Sequence, residues 1–350
     1  MSDAAHWDTA YHAPVMVAEV LRHFAPVLVR ATQRAAAVGT PLAIDGTLGG
    51  GGHSLALLEV GFQVVGFDRD PDALSAATER LGAWVDRGLF HAVAANYADA
   101  DTAFPTATAD AVLLDLGISS HQIDAAKRGF SFRAGAPLDM RMGADAGDDA
   151  AGVLNGWDER ALASVFRDYG DEPRAGRLAR EVVRRRATRP FATADDLVGA
   201  VRGALGPRTG AGDFARLFQA VRIAVNDELA GLDRALPALR DRLAPGGRFA
   251  VLSYHSGEDR RVKHAFRDWS AGCVCPPRQP ACTCGHEPLG ASVTRRAESA
   301  GAAEVARNPR ARSAKLRVWE RAVEPGQLVV DGDAHGLEEA REVAGARARA

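Results

Sequence analysis

The stretch that decides the fold is Leu42-Ala43-Ile44-Asp45-Gly46-Thr47-Leu48-Gly49-Gly50-Gly51-Gly52-His53-Ser54. It begins with a short apolar run that ends in an acid, continues with a glycine-rich segment, and is followed by leucines at helical spacing. This order predicts a strand, a glycine loop and a helix. Because glycine lets the backbone approach a ligand closely and adopt positive φ, we expect the loop to line a cofactor pocket.

Strands and helices keep alternating on both sides of this stretch. Further strands are predicted at Phe62 to Phe67, Leu89 to Ala95, Asp110 to Leu116, Arg248 to Tyr254 and Lys315 to Arg321, and helices at Pro14 to Leu28, Pro71 to Leu81 and Asn226 to Leu243. The apolar runs do not alternate with polar residues, which is typical of strands covered on both faces. The fold class expected is therefore α/β, with a mainly parallel sheet.

The pattern changes between residues 143 and 212, which are charged, helical in spacing and punctuated by prolines. We interpret this segment as a helical insertion for RNA recognition, which divides the core into residues 12–142 and 213–325. Residues 326–350 look like a weakly ordered tail. The length of 350 residues suits this plan of about two domains.

Composition excludes several classes of protein. Hydrophobic residues make up 47% and charged residues 25% of the chain, so a disordered or collagen-like protein is not expected. No apolar run is long enough to span a membrane and the N-terminus does not resemble a signal peptide, so we predict a cytoplasmic protein without membrane contact. With 43 basic and 45 acidic residues the net charge is −2, and nucleic-acid binding would need local patches.

Two acids are predicted to follow strands at the edge where ligands bind. Asp68 ends the second strand about 20 residues after the glycine loop, where a carboxylate can accept hydrogen bonds from ribose hydroxyls. Nicotinamide dinucleotides and S-adenosylmethionine both contain such a ribose. The dinucleotide fingerprint fails, however, because Ser54 or Leu55 stands where its third glycine belongs. Asp115 ends the fourth strand, near the expected positions of both cofactor and substrate.

These motifs, taken in order, resemble one bacterial family. They are the Asp45 to Ser54 loop, Asp68 to Pro71, Asp115 to Ser120, Arg128 to Phe132, Pro137 to Met142, Phe218 to Asn226, Tyr254 to Arg260 and Asn308 to Lys315. The family is that of ribosomal RNA small subunit methyltransferase H, and the resemblance runs from about His12 to Arg321. It implies a class I, Rossmann-like methyltransferase with an inserted helical subdomain.

The resemblance also implies an activity and a set of site residues. The activity is S-adenosylmethionine-dependent methylation of the N4 amine of one cytidine in 16S ribosomal RNA near the decoding centre. The implied cofactor contacts are Gly51, Gly52, His53, Asp68, Tyr97, Asp115 and Gln122. This chain has Tyr97 and Tyr254 where the family usually has phenylalanine, and Gly257 where it usually has leucine.

Catalysis is expected to depend mainly on positioning, because the methyl donor is strongly activated. Asp115 is the first candidate for accepting hydrogen bonds from the amine. Asp139 and His255 are second candidates for accepting the proton, although Asp139 is equally explained as a structural carboxylate paired with Arg141. The flipped base is expected to stack on Phe130, Phe132 or Tyr254.

Two local patches carry the positive charge that RNA would need. Seven arginines lie between Arg174 and Arg189 with only Glu181 as an acid, a local charge of +6. Eight basic residues lie between Arg295 and Arg321 with three acids, a charge of +5. Either naked RNA or the assembled small subunit is a suitable partner. Taken alone, such arginines are better explained as a solvated helix face, but beside a methyltransferase core they are expected to bind RNA. A homodimer is also compatible with the sequence.

All four cysteines lie in one segment, the loop at residues 273–286. They are Cys273, Cys275, Cys282 and Cys284, in the order Cys-x-Cys-x6-Cys-x-Cys. Four thiolates this close in sequence suit a structural zinc ion, but paired cysteines in zinc sites usually have two or more residues between them. The sequence therefore leaves metal binding open.

Two other classes of protein would share some of these features. A nicotinamide-dependent oxidoreductase would explain the glycine loop, but its fingerprint is broken. A non-catalytic RNA-binding protein would explain the arginines, but it has no need of Asp68 and Asp115 at strand ends.

Overall fold

The computed structural model describes residues 4–8, 13–100, 108–143, 145–276, 278–279 and 281–323. The chain divides into two compact units. The described residues up to Gly117 and from Leu232 onward form the sheet unit, and those from Ile118 to Gly231 form the helical unit. The predicted tail, residues 326–350, lies outside the described residues.

The sheet unit is built on a seven-stranded sheet with the order β3-β2-β1-β4-β5-β7-β6. Its strands are β1 (Leu42–Asp45), β2 (Gln63–Asp68), β3 (Phe90–Ala94), β4 (Ala109–Asp115), β5 (Leu243–Ser253), β6 (Gly290–Ser292) and β7 (Lys315–Arg321). The first five strands are parallel, and β7 runs antiparallel to both β5 and β6. The predicted α/β class, a Rossmann-like core with an added helical unit, is confirmed.

The described helices of the sheet unit flank this sheet. They are α1 (Val17–Val38), α2 (Gly52–Glu59), α3 (Pro71–Arg80), α4 (Gly82–Asp86), α11 (Glu228–Asp241), most of which belongs to this unit, α12 (Ser256–Trp269) and α13 (Ala302–Arg307). The helical unit contains α5 (Ser120–Asp124), α6 (Ala150–Gly156), α7 (Glu159–Ser164), α8 (Ala175–Arg186), α9 (Ala194–Leu205) and α10 (Ala211–Asn226).

The apolar strands are buried on both faces, as their sequences predict. In β4, Ala111 and Leu113 belong to the hydrophobic cluster that contains α1, whereas Val112 and Leu114 belong to the cluster that contains α11. Successive side chains of a strand point to opposite faces, so both faces need an apolar cover. This is why the strands read as unbroken hydrophobic runs.

Two predicted elements differ in detail from the structure. β5 begins at Leu243 instead of at the predicted Arg248; its register with β4 shifts near this start, and Gly246 has a φ of 75°. The expected helix from Asn226 begins instead at Glu228, because Asp227 has a φ of 50° and ends α10. β6 was not predicted, since three residues give no periodic signal.

The helical unit is larger than the predicted insertion at residues 143–212. Its core includes Phe130 and Leu138, which precede that range, and Phe214 to Val225 of α10, which follow it. Helix α8 contributes Ala175, Leu178, Ala179 and Val182 to this core. These residues share one face of the helix, and the arginines between them occupy the other.

Candidate active site

Asp45, at the carboxyl end of β1, is completely buried and organises the start of the glycine loop. It accepts hydrogen bonds from Ser54 Oγ at 2.7 Å and from the backbone N–H of Thr47 at 3.2 Å. Burial raises the pKa of Asp45, although the charge of His53 and the hydrogen bond from Ser54 act against that rise. The carboxylate thus connects the end of the strand to the first turn of α2.

The loop between β1 and α2 requires glycine for two different reasons. Gly51 has a φ of 74°, a conformation that side chains disfavour, and it precedes the first turn of α2. At Gly46 a Cβ atom would lie 2.4 Å from Leu114 Cδ2 and 3.1 Å from Tyr97 Cβ. Packing therefore accounts for the glycine at position 46. The cofactor contacts at Gly51 and Gly52 stay predictions.

Asp68 lies at the carboxyl end of β2 and faces the same loop. Its Oδ2 accepts a hydrogen bond from the backbone N–H of Gly49 at 2.8 Å, and its Oδ1 accepts one from that of Asp70 at 2.9 Å. Burial raises the pKa of Asp68 to about 6. Because each carboxylate oxygen has two lone pairs, both oxygens can accept a further hydrogen bond. The residue is therefore suited to bind a pair of hydroxyl groups.

Asp115, at the carboxyl end of β4, is held in place by residues from three other segments. Tyr254 donates its phenolic hydrogen to Oδ1 at 2.7 Å, and Nε2 of His53 lies 3.3 Å from Oδ2. The backbone N–H of Asp115 donates to Oγ1 of Thr47 at 2.6 Å. The side chain is only 8% exposed. The orientation of this carboxylate is thus determined by the structure around it.

His53 is buried in the first turn of α2, beside both Asp115 and Asp45. Burial by itself lowers the pKa of the imidazole, but its interaction with Asp115 and the charge of Asp45 outweigh it, and the net pKa is raised. Nε2 lies 3.3 Å from Oδ2 of Asp115, yet among the described residues neither ring nitrogen has a hydrogen-bond partner of good geometry. A buried donor without a partner is costly, so Nδ1 suits an acceptor group of a bound ligand.

Tyr97 follows β3 in a 3₁₀ turn formed by Tyr97–Asp99. The side chain of Asn96 accepts a hydrogen bond from the backbone N–H of Ala98 at 3.0 Å and so begins this turn. The close approach of the Tyr97 Cβ atom to Gly46 places this aromatic residue beside the glycine loop. The sheet unit thus brings together Gly51, His53, Asp68, Tyr97 and Asp115, all at the carboxyl ends of strands or directly after them.

His255 belongs to the cap of α12. Its Nδ1 accepts a hydrogen bond from the backbone N–H of Gly257 at 3.2 Å, and its Nε2 lies 3.1 Å from Oε1 of Glu258. Glu258 is buried and accepts hydrogen bonds from the backbone N–H groups of Tyr254 at 2.8 Å and His255 at 3.3 Å. Nδ1 of the imidazole is therefore occupied by its own helix end, whereas Nε2 lies beside the buried Glu258 without a hydrogen-bond partner of good geometry among the described residues.

The helical unit contains the other two predicted site residues. Gln122 is buried, and its Oε1 accepts a hydrogen bond from the backbone N–H of Ser119 at 3.0 Å, within the capping box of α5. Asp139 forms a double hydrogen bond with Arg141, at 2.8 Å from Nε and 2.9 Å from Nη2. This pair lowers the pKa of Asp139. The pairing that the sequence offered as an alternative for Asp139 is present.

Several arginines of the first patch have structural contacts. Arg184 and Arg185 both bind Glu181, and Nη1 of Arg186 donates to the carbonyl oxygens of Leu154 at 2.9 Å and Trp157 at 2.6 Å. In contrast, Arg177 and Arg180 are exposed.

In the second patch, Arg317 pairs with Asp259 and Arg321 binds carbonyl oxygens near the start of β5. The exposed arginines of this patch are Arg295, Arg296, Arg307, Arg310 and Arg312.

Sequence reasoning missed three residues that support the site. They are Thr47, which binds the backbone of Asp115, Glu258, which organises the Tyr254 turn, and Glu304, which accepts a hydrogen bond from the backbone N–H of Met16 at 2.7 Å. Only Glu258 had a usable signal. It stands three residues after His255, which is the spacing of a capping box.

The geometry fits the predicted methyl donor. S-adenosylmethionine offers two ribose hydroxyls for Asp68, a carboxylate for the unused donor on His53 and an adenine ring for an aromatic neighbour such as Tyr97.

None of the described helices is long and apolar enough to cross a membrane.

Comparison with known proteins identifies the family of this chain. Residues 9–322 match the model of the MraW methylase family. A ribosomal RNA small subunit methyltransferase H from Gemmatimonas aurantiaca is 60% identical over 314 residues, covering 89% of this chain and 96% of that protein. A protein with the same name from Symbiobacterium thermophilum is 45% identical and covers 84% of this chain and 95% of its own length. Another, from Heliobacterium modesticaldum, is 44% identical and covers 79% of this chain and 91% of its own length. By both measures, the chain belongs to the MraW methylase family.

Proposed function

We propose that this methyltransferase transfers a methyl group from S-adenosylmethionine to N4 of one cytidine in small-subunit (16S) ribosomal RNA, near the decoding centre. The observation that carries the proposal is the placement of Asp115, fixed by Tyr254 and His53 beside the glycine loop. The relatives named as small-subunit ribosomal RNA methyltransferases support the substrate. Membership of a methylase family argues against both the oxidoreductase and a non-catalytic RNA-binding protein.

The residues of the sheet unit bind and orient the methyl donor. Asp68 would accept hydrogen bonds from the ribose hydroxyls, Nδ1 of His53 would donate to the carboxylate, and Tyr97 would lie beside the adenine. When bound, S-adenosylmethionine supplies an electrophilic methyl group on a sulfonium. Holding both reactants in line is worth up to about 7 to 11 kcal/mol of the barrier, so we assign most of the rate enhancement to this positioning.

Asp115 orients the amine of the cytosine. Tyr254 donates to one of its oxygens and His53 lies beside the other. A carboxylate oxygen can accept more than one hydrogen bond, so Asp115 can also receive an N–H of the substrate. Accepting that hydrogen bond favours the pyramidal nitrogen of the transition state. Burial and the charge of Asp115 raise the pKa of Tyr254 well above its usual value, so its hydroxyl stays protonated and remains a donor. Tyr254 is therefore a positioning residue.

The second candidates for accepting the proton are less suited to that role. Nδ1 of His255 accepts a hydrogen bond from the end of α12 and its Nε2 faces the buried Glu258, and Arg141 lowers the pKa of Asp139. We therefore assign the contact with the amine to Asp115 and the order of α12 to His255.

RNA binding is assigned to exposed side chains of both units. Arg177 and Arg180 are free of the contacts that hold Arg186, so they are the better candidates for binding phosphate groups. Of the aromatic residues considered for stacking, Phe132 is 39% exposed and lies 6.0 Å from the rings of Phe214 and Phe218. A ribosomal substrate would place the protein in the cytoplasm. A homodimer stays a prediction.

The test compares ribosomal RNA from cells that contain this protein with RNA from cells that lack its gene. We expect one cytidine of the 16S RNA to lose a methyl group on N4 in the deletion strain, as measured by mass spectrometry of nucleosides and RNA fragments. The wild-type gene should restore the modification and the Asp115→Ala gene should not. Unchanged methylation in the deletion strain would contradict the proposal. Purified enzyme supplied with either naked RNA or assembled subunits then identifies the substrate form.

A further inference from the structure

The four cysteines form a cluster in the loop that joins α12 to β6. We call residues 271–288 the cysteine loop. The backbone N–H of Leu289 donates to the carbonyl oxygen of Trp269 at 2.9 Å, so the loop begins and ends at nearly the same place. Its described residues contain no helix or strand. The loop thus leaves the sheet unit and returns to it without joining the sheet.

The thiol groups converge on one point. Cys273 Sγ and Cys284 Sγ each lie 3.5 Å from Cys282 Sγ and 3.9 Å from one another. Cys275 Sγ lies 3.9 Å from Cys282 Sγ, and all four sulfur atoms lie within 4.8 Å of one another. A disulfide has a sulfur–sulfur distance of about 2.05 Å, so the four cysteines are free thiols.

These distances match those around a single metal ion. Four sulfur atoms at the zinc–sulfur distance of about 2.3 Å form a tetrahedron with edges of about 3.8 Å. An iron–sulfur cluster has several metal atoms, each with its own ligands, and so places its cysteines farther apart. Thiolates are soft ligands, so a tetrahedral set of four favours zinc over hard ions such as Mg²⁺ and Ca²⁺.

Hydrophobic burial does not explain why the thiols converge. Three of the cysteines are exposed, and Val274, which lies between two of them, is 61% exposed. Thiols are weak hydrogen-bond donors, so contact between them stabilises little. Backbone N–H groups do point at the sulfur atoms, from Cys275 to Cys273 at 3.4 Å and from His286 to Cys284 at 3.5 Å. Such donors favour negatively charged sulfur, as a metal-bound thiolate requires.

We propose that Cys273, Cys275, Cys282 and Cys284 bind one zinc ion, which holds the cysteine loop in its folded form. Four protein ligands leave no open position on the ion for water or substrate, so the site is structural. It also lies far from methyl transfer along α12. Tyr254 precedes the start of this 14-residue helix and the cysteine loop follows its end, which separates the two by about 21 Å.

The first test is the metal content of the full-length protein, purified under reducing conditions from cells supplied with zinc sulfate. We expect about one zinc per chain and loss of the metal in Cys282→Ser, because Cys282 Sγ lies close to the other three sulfur atoms. Thr283→Ala, in the same loop, is the matched control and should retain the ion. Binding of S-adenosylmethionine by each variant verifies that the sheet unit is folded, and it separates failure of this proposal from failure of the proposed function.

The second test measures the order of the loop by limited proteolysis. Arg278 is exposed within the loop, so trypsin can cleave after it once the loop opens. We expect the zinc-loaded protein to resist this cleavage and Cys282→Ser, or the wild type treated with a chelator, to be cleaved there. Three results would overturn the proposal. The protein could contain bound iron in place of zinc, it could have four reactive thiols and less than about one-tenth of a zinc per chain, or Cys282→Ser could retain the zinc. Equal cleavage with and without zinc overturns its structural role.

Discussion

The two units use their polar residues in different ways. In the sheet unit, the carboxylates of Asp45, Asp68 and Asp115 are concentrated at the carboxyl ends of strands and are held by neighbouring loops. In the helical unit, polar side chains mostly stabilise that unit itself, as Arg186 does with two carbonyl oxygens and Asp139 with Arg141. Residue type alone is therefore a better guide to chemistry in the sheet unit, because there the topology brings distant acids to one edge.

The largest expected effect separates Asp115 from Asp139. Asp115→Ala removes the acceptor for the amine, so kcat for methyl transfer should fall about 10²- to 10⁴-fold, whereas Asp139→Asn should cost only a few-fold. Single-turnover transfer of labelled methyl groups to ribosomal RNA measures both rates, and circular dichroism verifies folding. Near-normal transfer by folded Asp115→Ala would remove this residue from catalysis, and an equal loss in Asp139→Asn would break the distinction between the units.

A smaller effect is expected at Asp68, where it depends on pH. The pKa of Asp68 is raised to about 6. Protonation of this carboxyl group therefore stabilises the folded protein without ligand, and the stabilisation is lost as the pH rises through 6. Ribose hydroxyls need the ionised form, so the affinity for S-adenosylmethionine should fall about tenfold between pH 7.5 and pH 5. The pKa of His53 is also raised, so a fall in pH favours its charged form.

The Asp68→Asn variant isolates this carboxylate from the other titrating groups. Its affinity at pH 7.5 should fall about 30-fold, the typical effect of losing a charged hydrogen-bond acceptor, and its pH dependence below pH 7 should largely disappear. Isothermal titration calorimetry measures both quantities. An unchanged pH profile in Asp68→Asn would assign the titration to another group, such as Asp45, whose pKa is also raised.

The exposed arginines of α8 test whether the helical unit binds RNA. Arg177→Ser with Arg180→Ser should weaken RNA binding about tenfold at moderate salt and reduce the slope of log K against log salt by about 2. Arg87→Ser, an exposed arginine of the sheet unit that stacks on Trp84, is the control. Filter binding over a range of salt concentrations gives the slope. If the double variant keeps the wild-type slope, α8 does not bind phosphate groups.

The smallest effect is expected at Tyr254. Tyr254→Phe keeps the ring but removes the hydrogen bond to Asp115, so kcat should fall about fivefold, which corresponds to a net hydrogen bond of about 1 kcal/mol. The affinity for S-adenosylmethionine should not change. Tyr169→Phe, in the helical unit, serves as the matched control. A fall in affinity without a fall in kcat would assign Tyr254 to cofactor binding instead of positioning.

Much of the sheet unit was predictable because its signals are local. Unbroken apolar runs indicated the strands, and glycines followed by Asp68 and Asp115 indicated where a ligand would bind. The extent of the helical unit was not predictable in the same way. Phe130 and Phe214 are distant in sequence and show no common pattern, yet they share one core.

The α/β class, the order of the strands along the chain and the acids that end them follow from the amino-acid sequence, because each of these depends on the spacing of neighbouring residues. The folded protein was needed to reveal that Tyr254 and His53 lie against Asp115, that Arg141 pairs with Asp139, and which arginines remain exposed. Hydrogen bonds and ion pairs act over a few ångströms in space, whatever the separation along the chain, so composition and spacing alone could not reveal them.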